Sequence, residues 1–166
     1  MKRKSNTKFL VQGALIAAIY AALTYFSAPI AFGPAQFRIA EAMTLLPVLT
    51  PAAIPGLAVG CIIANLSSPY GIADIICGTL ATLLAALCSR AAGKIRFKNI
   101  PLLSALFPVL FNGIIIGVEI SLFIPEGADF WAFITSGAGV ALGEFVSCFV
   151  LGLPLFAALD RTKLFK

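Results

Sequence analysis

The sequence predicts an all-α membrane protein: a compact bundle of six transmembrane helices, two of them short, with both termini in the cytoplasm. Composition is the first reason, because 60% of the 166 residues are hydrophobic and 11% are charged, whereas soluble domains carry about 25% charged residues. The second is the length of the apolar runs, since a helix needs about 20 residues to cross a hydrocarbon core of about 30 Å. The third is the placement of the basic residues.

Charge placement predicts the orientation. Eleven of the twelve Lys and Arg residues fall in three clusters, which are the tail 1–8, the loop 90–98 and the tail 160–166. An even number of crossings puts all three on one side of a single transmembrane domain, 9–159, and the positive-inside rule makes that side the cytoplasm. The loops that then face outward are 27–35, 67–71 and 124–129.

Helix boundaries follow from the apolar runs and from the proline- and glycine-rich breaks between them. The apolar stretch 37–66 contains Pro47, Pro51 and Pro55, and proline inside a helix costs about 3 kcal/mol or more. We therefore divide it into two helices, each short for a full crossing, so that a re-entrant hairpin with the same charge pattern stays open. The predicted helices are 9–26, 37–49, 52–66, 72–92, 100–123 and 130–159.

The remaining breaks each carry a turn or loop signal. The first helix ends at a loop that contains Pro29, Gly33 and Pro34, and the segment 67–71 reads Ser-Ser-Pro-Tyr-Gly, a composition typical of turns. A short acidic loop, Pro-Glu-Gly-Ala-Asp at 125–129, separates the last two helices.

The residue types present exclude several functions. The chain has no histidine, which removes histidine-based triads and the usual zinc sites. Its four cysteines match no Cys-x-x-Cys spacing, and we interpret them as buried free thiols. Gly93-Lys94 does not form a phosphate-binding loop, because Cys88 stands where the first glycine of that motif belongs. We therefore predict no cofactor, no metal site, no catalytic residues and no nucleic-acid partner.

The most informative stretch begins at Gln36 and continues through Arg38 and Glu41. Arg38 is the basic residue that lies outside the three clusters, and an isolated Arg in an apolar segment is costly unless it is paired or lines a polar cavity. Arg38 and Glu41 are three residues apart, so we expect them to pair on one helical face. The stretch is interpreted as the edge of a binding site, with a purely structural pair as the alternative.

Acids inside the apolar runs extend this candidate site. Glu41, Asp74, Glu119 and Glu144 all fall in the predicted outer half of their segments, and intramembrane acids are functional by default. Asn112 lies seven residues before Glu119 and so on the same helical face. Together they predict a cavity open to the outside.

Two further residues complete the candidate cavity. Ser147 lies three residues after Glu144, and Trp131 stands with other aromatics at the outer rim. Acids, amides and aromatic rings favour a small, polar, donor-rich and cationic ligand. Two alternatives remain open: Asp74 as a charge that favours a helix N-terminus, and Trp131 as an interfacial anchor.

Small residues form stripes on the first helix. They recur every fourth position at 13, 17, 21 and at 14, 18, 22, and such stripes let another helix approach closely in lipid. That helix can belong to the same protein or to a partner. Glycine pairs with the same spacing, 56/60, 113/117 and 139/143, are interpreted as internal packing sites.

Residues 36–65 carry a family resemblance. The segment Gln36-Phe-Arg-Ile-Ala-Glu41, the segment Leu-Leu-Pro47-Val-Leu-Thr-Pro51, and the run from Pro55-Gly56 to Asn65 resemble the QueT family of substrate-binding S components of energy-coupling-factor (ECF) transporters. The resemblance implies a multi-pass protein of the bacterial cell membrane. It also implies a ligand, 7-aminomethyl- or 7-cyano-7-deazaguanine, that is bound from outside.

The chain contains no ATPase motif, so a concentrating transporter would need ATPase partners or an ion gradient, and the resemblance implies partners. They are a transmembrane coupling subunit and two ATPase subunits, with Ala14, Ala18 and Ala22 matching the docking pattern on the first helix. The loop 27–35 and the segment 36–38 are gate candidates. The candidate ligand-binding residues are Gln36, Arg38, Glu41, Asn65, Asp74, Asn112, Glu119, Trp131, Glu144 and Ser147.

Three other functions compete with this interpretation. A proton-coupled carrier that works alone would use Glu119 or Glu144 as proton sites, although no inverted repeat is evident. A membrane-embedded enzyme lacks a nucleophile–base pair. A structural bundle subunit would bind no small molecule through these acids.

Overall fold

The structure, a computed structural model, describes residues 2–32, 36–123, 129–162 and 165, and within those residues the regular elements are all helical. Residues 33–35 of the predicted loop 27–35 and residues 124–128 of the predicted loop 124–129, with Glu126, lie outside the described residues. Most of the tail beyond Thr162 lies outside them as well. The elements in chain order are α1 (Lys2–Phe26), α2 (Ala28–Ala31), a 3₁₀ helix (Ile39–Val48), α3 (Ala53–Asn65), α4 (Ile72–Ala92), α5 (Leu102–Leu122), α6 (Phe130–Phe145), a π-helical segment (Val146–Gly152) and α7 (Leu153–Thr162).

Four stretches of the described chain are long and apolar enough to cross a membrane: Asn6–Phe26, Ile72–Ala92, Leu102–Leu122 and Phe130–Thr162. The 3₁₀ helix and α3 are apolar but shorter. Each apolar run of the sequence thus becomes helical, and the chain has the character of a multi-pass membrane protein. The count of six full crossings stays a prediction.

The 3₁₀ helix lies at the centre of the fold. It contacts α1, α3, α4, α5, α7 and the π-helical segment, and its residues from Ala40 to Pro47 are buried. The sequence predicted a helix at 37–49, and the structure shows that this helix has the tighter 3₁₀ form. Pro47 lies inside it, where an α-helix would bring the proline ring against the preceding turn.

Glycines bring two helix pairs into close contact. A Cβ built on Gly56 would lie 2.7 Å from the Gly13 carbonyl oxygen, and one on Gly60 would lie 2.9 Å from the Ala17 carbonyl oxygen. The 13/17/21 stripe of α1 therefore packs against α3. Ala14, Ala18 and Ala22 lie on the exposed face of α1.

The contact between α5 and α6 is equally close. A Cβ on Gly117 would lie 2.6 Å from the Gly137 Cα, and one on Gly137 would lie 2.8 Å from the Gly113 carbonyl oxygen. The 56/60 and 113/117 pairs thus pack internally, as predicted. On α6 the residue that meets the 113/117 pair is Gly137, and internal packing by the 139/143 pair stays a prediction.

Two of the basic clusters meet at one end of the molecule. Arg96 Nη1 lies 3.1 Å from Asp160 Oδ2, which joins the loop 90–98 to the end of α7, and the Arg96 guanidinium stacks 5.2 Å from the Phe156 ring centroid. Arg90 Nη1 donates a hydrogen bond to the Pro47 carbonyl oxygen at 2.7 Å. This geometry agrees with the charge pattern that predicted the orientation.

Candidate functional site

Arg38 is buried inside the bundle and is held by three segments of the chain. Its Nη2 donates to Asp74 Oδ1 at 3.2 Å and Oδ2 at 3.3 Å, and to Gln36 Oε1 at 3.0 Å. Its Nε donates to the Ala31 carbonyl oxygen at 3.4 Å, and the guanidinium lies 5.4 Å from the Phe32 ring centroid. Arg38 therefore connects α2 and the extended segment 36–38 to α4.

The predicted pair between Arg38 and Glu41 is wrong, because the ion pair of Arg38 is with Asp74. The prediction assumed that both residues lie on one helix. Arg38 instead precedes the 3₁₀ helix with extended backbone, φ −101° and ψ 107°, so that helical spacing does not apply to it. Asp74 belongs to the first turn of α4 and is fully buried. Because it forms an ion pair with the Arg38 guanidinium, its role extends beyond that of a charge that favours a helix N-terminus.

Asn65 and Gly78 complete the surroundings of this pair. Asn65 Nδ2 donates to the Asp74 carbonyl oxygen at 2.8 Å. A Cβ built on Gly78 would lie 2.5 Å from Asn65 Nδ2 and 3.3 Å from Asp74 Oδ1. Because only a glycine leaves space for both groups, Gly78 belongs to the site, although the sequence analysis did not include it.

Glu41 lies in a second polar group of the bundle core. The Tyr20 hydroxyl donates to Glu41 Oε1. Thr44 Oγ1 donates to the Glu41 carbonyl oxygen at 2.6 Å. Cys148 Sγ lies 3.6 Å from the same carbonyl oxygen and 3.8 Å from Glu144 Oε2. The group thus joins α1, the 3₁₀ helix, α6 and the π-helical segment.

Several polar atoms of these helices are buried without a hydrogen-bond partner in the described part of the protein. Each exposes less than 1 Å². Such atoms are rare in folded proteins because an unpaired buried polar group costs about 1–3 kcal/mol. The atoms are Gln36 Nε2, Glu41 Oε2, Asn65 Oδ1, Thr79 Oγ1, Asn112 Nδ2, both carboxylate oxygens of Glu119, and Ser147 Oγ.

Most of the predicted ligand-binding residues are therefore buried polar residues of the core. Asn112 and Glu119 lie on the buried face of α5, as their seven-residue spacing predicted. The exception is Trp131, which is 69% exposed and packs edge-on against Phe130 with ring centroids 5.9 Å apart. An exposed indole of this kind fits the interfacial anchor that the sequence analysis kept as an alternative.

The acids outnumber the cations in this core. Arg38 is the buried cation of the described residues, and its ion pair is with Asp74, whose two carboxylate oxygens both accept from it. Glu41, Glu119 and Glu144 remain, each at most 2% exposed. Isolated buried carboxylates are strongly unfavourable in an apolar medium, so this arrangement favours a cationic ligand or protonated acids.

Sequence reasoning missed Tyr20, Thr44 and two of the cysteines. Cys148 belongs to the Glu41 group, and Cys61 Sγ lies 3.5 Å from both Asn65 Nδ2 and Thr82 Oγ1. The cysteines are free, as predicted, but these two contact polar groups instead of acting only as small hydrophobic residues. Tyr20 could have been recognised as a candidate from the sequence, because it is a polar aromatic residue among the alanines of the first helix.

The described residues contain no group of side chains arranged as a metal site. Within the ranges 2–32, 36–123 and 129–162, no cluster of three His, Cys, Asp or Glu residues could hold an ion.

The family model described as QueT transporter matches residues 10–161. A protein of Lactococcus lactis subsp. cremoris (strain MG1363), described as "Queuosine precursor transporter QueT", is 31% identical, and the alignment covers 89% of this chain and 90% of the relative. No solved structure matches the chain significantly.

Proposed function

The chain belongs to the QueT transporter family, and from that premise we propose that it binds a queuosine precursor outside the cell as the S component of an ECF-type importer. It is a multi-pass protein of the bacterial cell membrane, and membership of a transporter family makes it a transport protein and not an enzyme. In this proposal both termini are cytoplasmic, and a transmembrane coupling subunit with two ATPase subunits supplies the energy.

The set of unpaired buried polar atoms is the observation that carries the proposal. Glu41, Asn65 and Glu119 offer acceptor oxygens, whereas Gln36 and Asn112 offer amide donors. A 7-deazaguanine presents ring N–H and amino donors beside a carbonyl acceptor, and its 7-aminomethyl form adds an ammonium. A ligand with both donors and acceptors would satisfy atoms that otherwise carry a desolvation cost.

The described conformation is closed over this set, because each unpaired atom exposes less than 1 Å². Ligand entry therefore needs a segment to move. We propose α2 with the segment 36–38 as the gate, since Arg38 connects the Ala31 carbonyl oxygen and Gln36 to Asp74. Gln36 supports this choice, because its φ of 41° is an uncommon backbone conformation for a residue with a side chain.

The exposed face of α1 is the proposed docking site for the coupling subunit. An apolar groove of about 300 Å³ runs between α1 and α3 and includes Gly13, Ala14, Ala17, Pro55 and Gly56 in its lining. Small residues along such a groove let a partner helix approach closely within lipid.

A proton-coupled carrier is the second candidate, favoured by the three core carboxyl groups that have no cation of their own. The two functions differ in what drives uptake. Accumulation by cells that express this chain without ATPase partners, abolished by an uncoupler, would favour the carrier.

The first test is ligand binding by the full chain purified alone in detergent. Calorimetry with 7-aminomethyl-7-deazaguanine, its 7-cyano relative and guanine should detect binding of a deazaguanine. Glu119→Gln should weaken that binding at least about 10-fold, because it replaces a charged acceptor by an amide.

Asp129→Asn is the matched control, because Asp129 is exposed and makes no side-chain hydrogen bond at the start of α6. Its binding should equal that of the wild type. A monodisperse wild-type sample that binds none of the three compounds would overturn the proposed function.

A further inference from the structure

We infer that the core carboxylates recognise different parts of the ligand: Glu119 accepts the paired N–H donors of the pyrimidine edge, and Glu41 with Glu144 holds a cationic side arm. The inference rests on the proposed function and deepens it. It assigns the selectivity for the arm to one polar group and the recognition of the ring to another.

Glu119 has the geometry of a bidentate acceptor. Among the described residues it alone has both carboxylate oxygens buried and unpaired. Its electrostatic neighbours are Asp74 and Arg38, which already form a pair with each other. A carboxylate with two free oxygens can accept two parallel N–H bonds, and a 2-amino-4-oxo pyrimidine edge presents an adjacent ring N–H and amino group.

Glu41 and Glu144 have a different arrangement. One Glu41 oxygen accepts from Tyr20 and the other is unpaired, whereas Glu144 Oε2 is contacted by Cys148. The two acids interact electrostatically with each other, and Cys148 lies between the Glu41 carbonyl oxygen and the Glu144 carboxylate. Neither acid offers two free oxygens, but together they offer single contacts from two carboxylates.

An ammonium suits this second group better than it suits Glu119. An ammonium is a compact charge with three donors that point in different directions, so contacts from separate carboxylates satisfy it. Two acids share the Glu41 and Glu144 region, and like charges in an apolar core are unfavourable without a cation. Arg38 is an electrostatic neighbour of Glu41, Glu144 and Glu119, but its ion pair is with Asp74. The two acids of the Glu41 and Glu144 region therefore have no cation hydrogen-bonded to them in the described part of the protein.

The protein should distinguish the two ligands by the charge of the substituent at position 7. A 7-aminomethyl compound places its ammonium against Glu41 and Glu144, whereas the uncharged 7-cyano compound leaves both acids without a cation. Loss of one of these acids should therefore affect the two ligands unequally. Loss of Glu119 should affect them equally, because the ring edge is the same in both.

The test measures the dissociation constants of both compounds for the full-length wild type, Glu119→Gln, Glu144→Gln, Glu41→Gln and the control Asp129→Asn. Glu144→Gln or Glu41→Gln should weaken 7-aminomethyl binding at least about 10-fold and 7-cyano binding by less than about 3-fold. Glu119→Gln should weaken both at least about 10-fold with their ratio nearly unchanged. Two variants address the arm, so the prediction can be tested if one of them does not fold.

Distinct outcomes would overturn the inference and the proposed function. If Glu144→Gln and Glu41→Gln weaken the binding of both compounds equally, the division of roles is overturned and the S-component proposal stands. A wild type that binds only the 7-cyano compound would have the same consequence. A wild type that binds neither compound would overturn the proposed function and the inference with it.

Discussion

At the residue scale, Arg38 and Asp74 form a buried ion pair in the core. Asp74 is fully buried and Arg38 is 2% exposed. Removing charges from water costs several kcal/mol per ion, and the attraction between them compensates only when the geometry is good. Here the guanidinium contacts both carboxylate oxygens and also donates to Gln36 and to a backbone carbonyl. Both oxygens of the Asp74 carboxylate and two nitrogens of the guanidinium are thus hydrogen-bonded, and neither partner can be lost at small cost.

Replacing one partner of this pair should destabilise the protein strongly. Asp74→Asn leaves the Arg38 charge buried without its ion-paired carboxylate, and we expect a loss of about 3–5 kcal/mol in the free energy of unfolding. The measurement is the unfolding transition of the purified protein in detergent. The double variant Arg38→Met/Asp74→Leu should recover most of the stability, because it removes both charges together.

The Arg96–Asp160 pair is the control for this prediction. Its side chains are 30% and 28% exposed, and ion pairs near the surface contribute about 0–1 kcal/mol. Asp160→Asn should therefore shift the transition only slightly. Equal losses from Asp74→Asn and Asp160→Asn would contradict a special role for the buried pair.

At the element scale, α1 has two faces built from the same small residues. Ala17 and Ala21 are buried, and Ala17 meets the backbone of α3 at Gly60. Ala14, Ala18 and Ala22 are one position further along and lie exposed. A rotation of about 100° per residue, which follows from 3.6 residues per turn, separates an internal packing face from the proposed docking face.

Matched substitutions on these two faces should have different effects. Ala17→Leu overfills the contact with α3 and should destabilise the isolated protein by about 1–3 kcal/mol. Ala18→Leu should leave the unfolding transition unchanged and reduce co-purification with the coupling subunit, because the bulky side chain keeps a partner helix away. An Ala18→Leu variant that retains its complex would exclude this face as the docking site.

The π-helical segment is the second element that shapes the site. It begins two residues after Glu144 and holds Ser147 and Cys148, both buried. Segments of this kind are rare and occur frequently at functional sites, since the extra residue in the turn changes which side chains point inward. Here Cys148 contacts Glu144 and the 3₁₀ helix together.

At the scale of the whole molecule, the basic residues predict the orientation in the membrane. The loop 90–98 and the end of α7 are joined by Arg96 and Asp160, which places two of the basic clusters at one end. The positive-inside rule assigns that end to the cytoplasm.

Labelling of single introduced cysteines tests this orientation. In intact cells, a membrane-impermeant maleimide should label Asp129→Cys, and it should label Lys94→Cys only after permeabilisation, because the two positions are predicted on opposite sides. The unsubstituted chain measures the background from its own cysteines. Labelling of Lys94→Cys in intact cells would reverse the proposed topology.

The sequence by itself predicted most of the helical elements and named candidate site residues. It placed the start of the first helix at residue 9, whereas α1 begins at Lys2, and it predicted a loop at 27–35, where α2 forms. Hydrophobic run length and proline placement predicted a helix at 72–92, where α4 spans Ile72–Ala92, and a helix at 52–66, where α3 spans Ala53–Asn65. These features are local, because an apolar run and a helix breaker act on their own neighbourhood. The same locality explains why intramembrane acids could be recognised without a structure.

Only the tertiary structure decided which residues are partners. Arg38 pairs with Asp74, 36 positions away, and Cys148 contacts the Glu41 carbonyl oxygen, 107 positions away. Helical spacing predicts neighbours within one helix, and it assigned Arg38 to Glu41 for that reason. Contacts between helices depend on how the helices pack and rotate against each other, and that arrangement is set here by the glycine contacts and the central 3₁₀ helix.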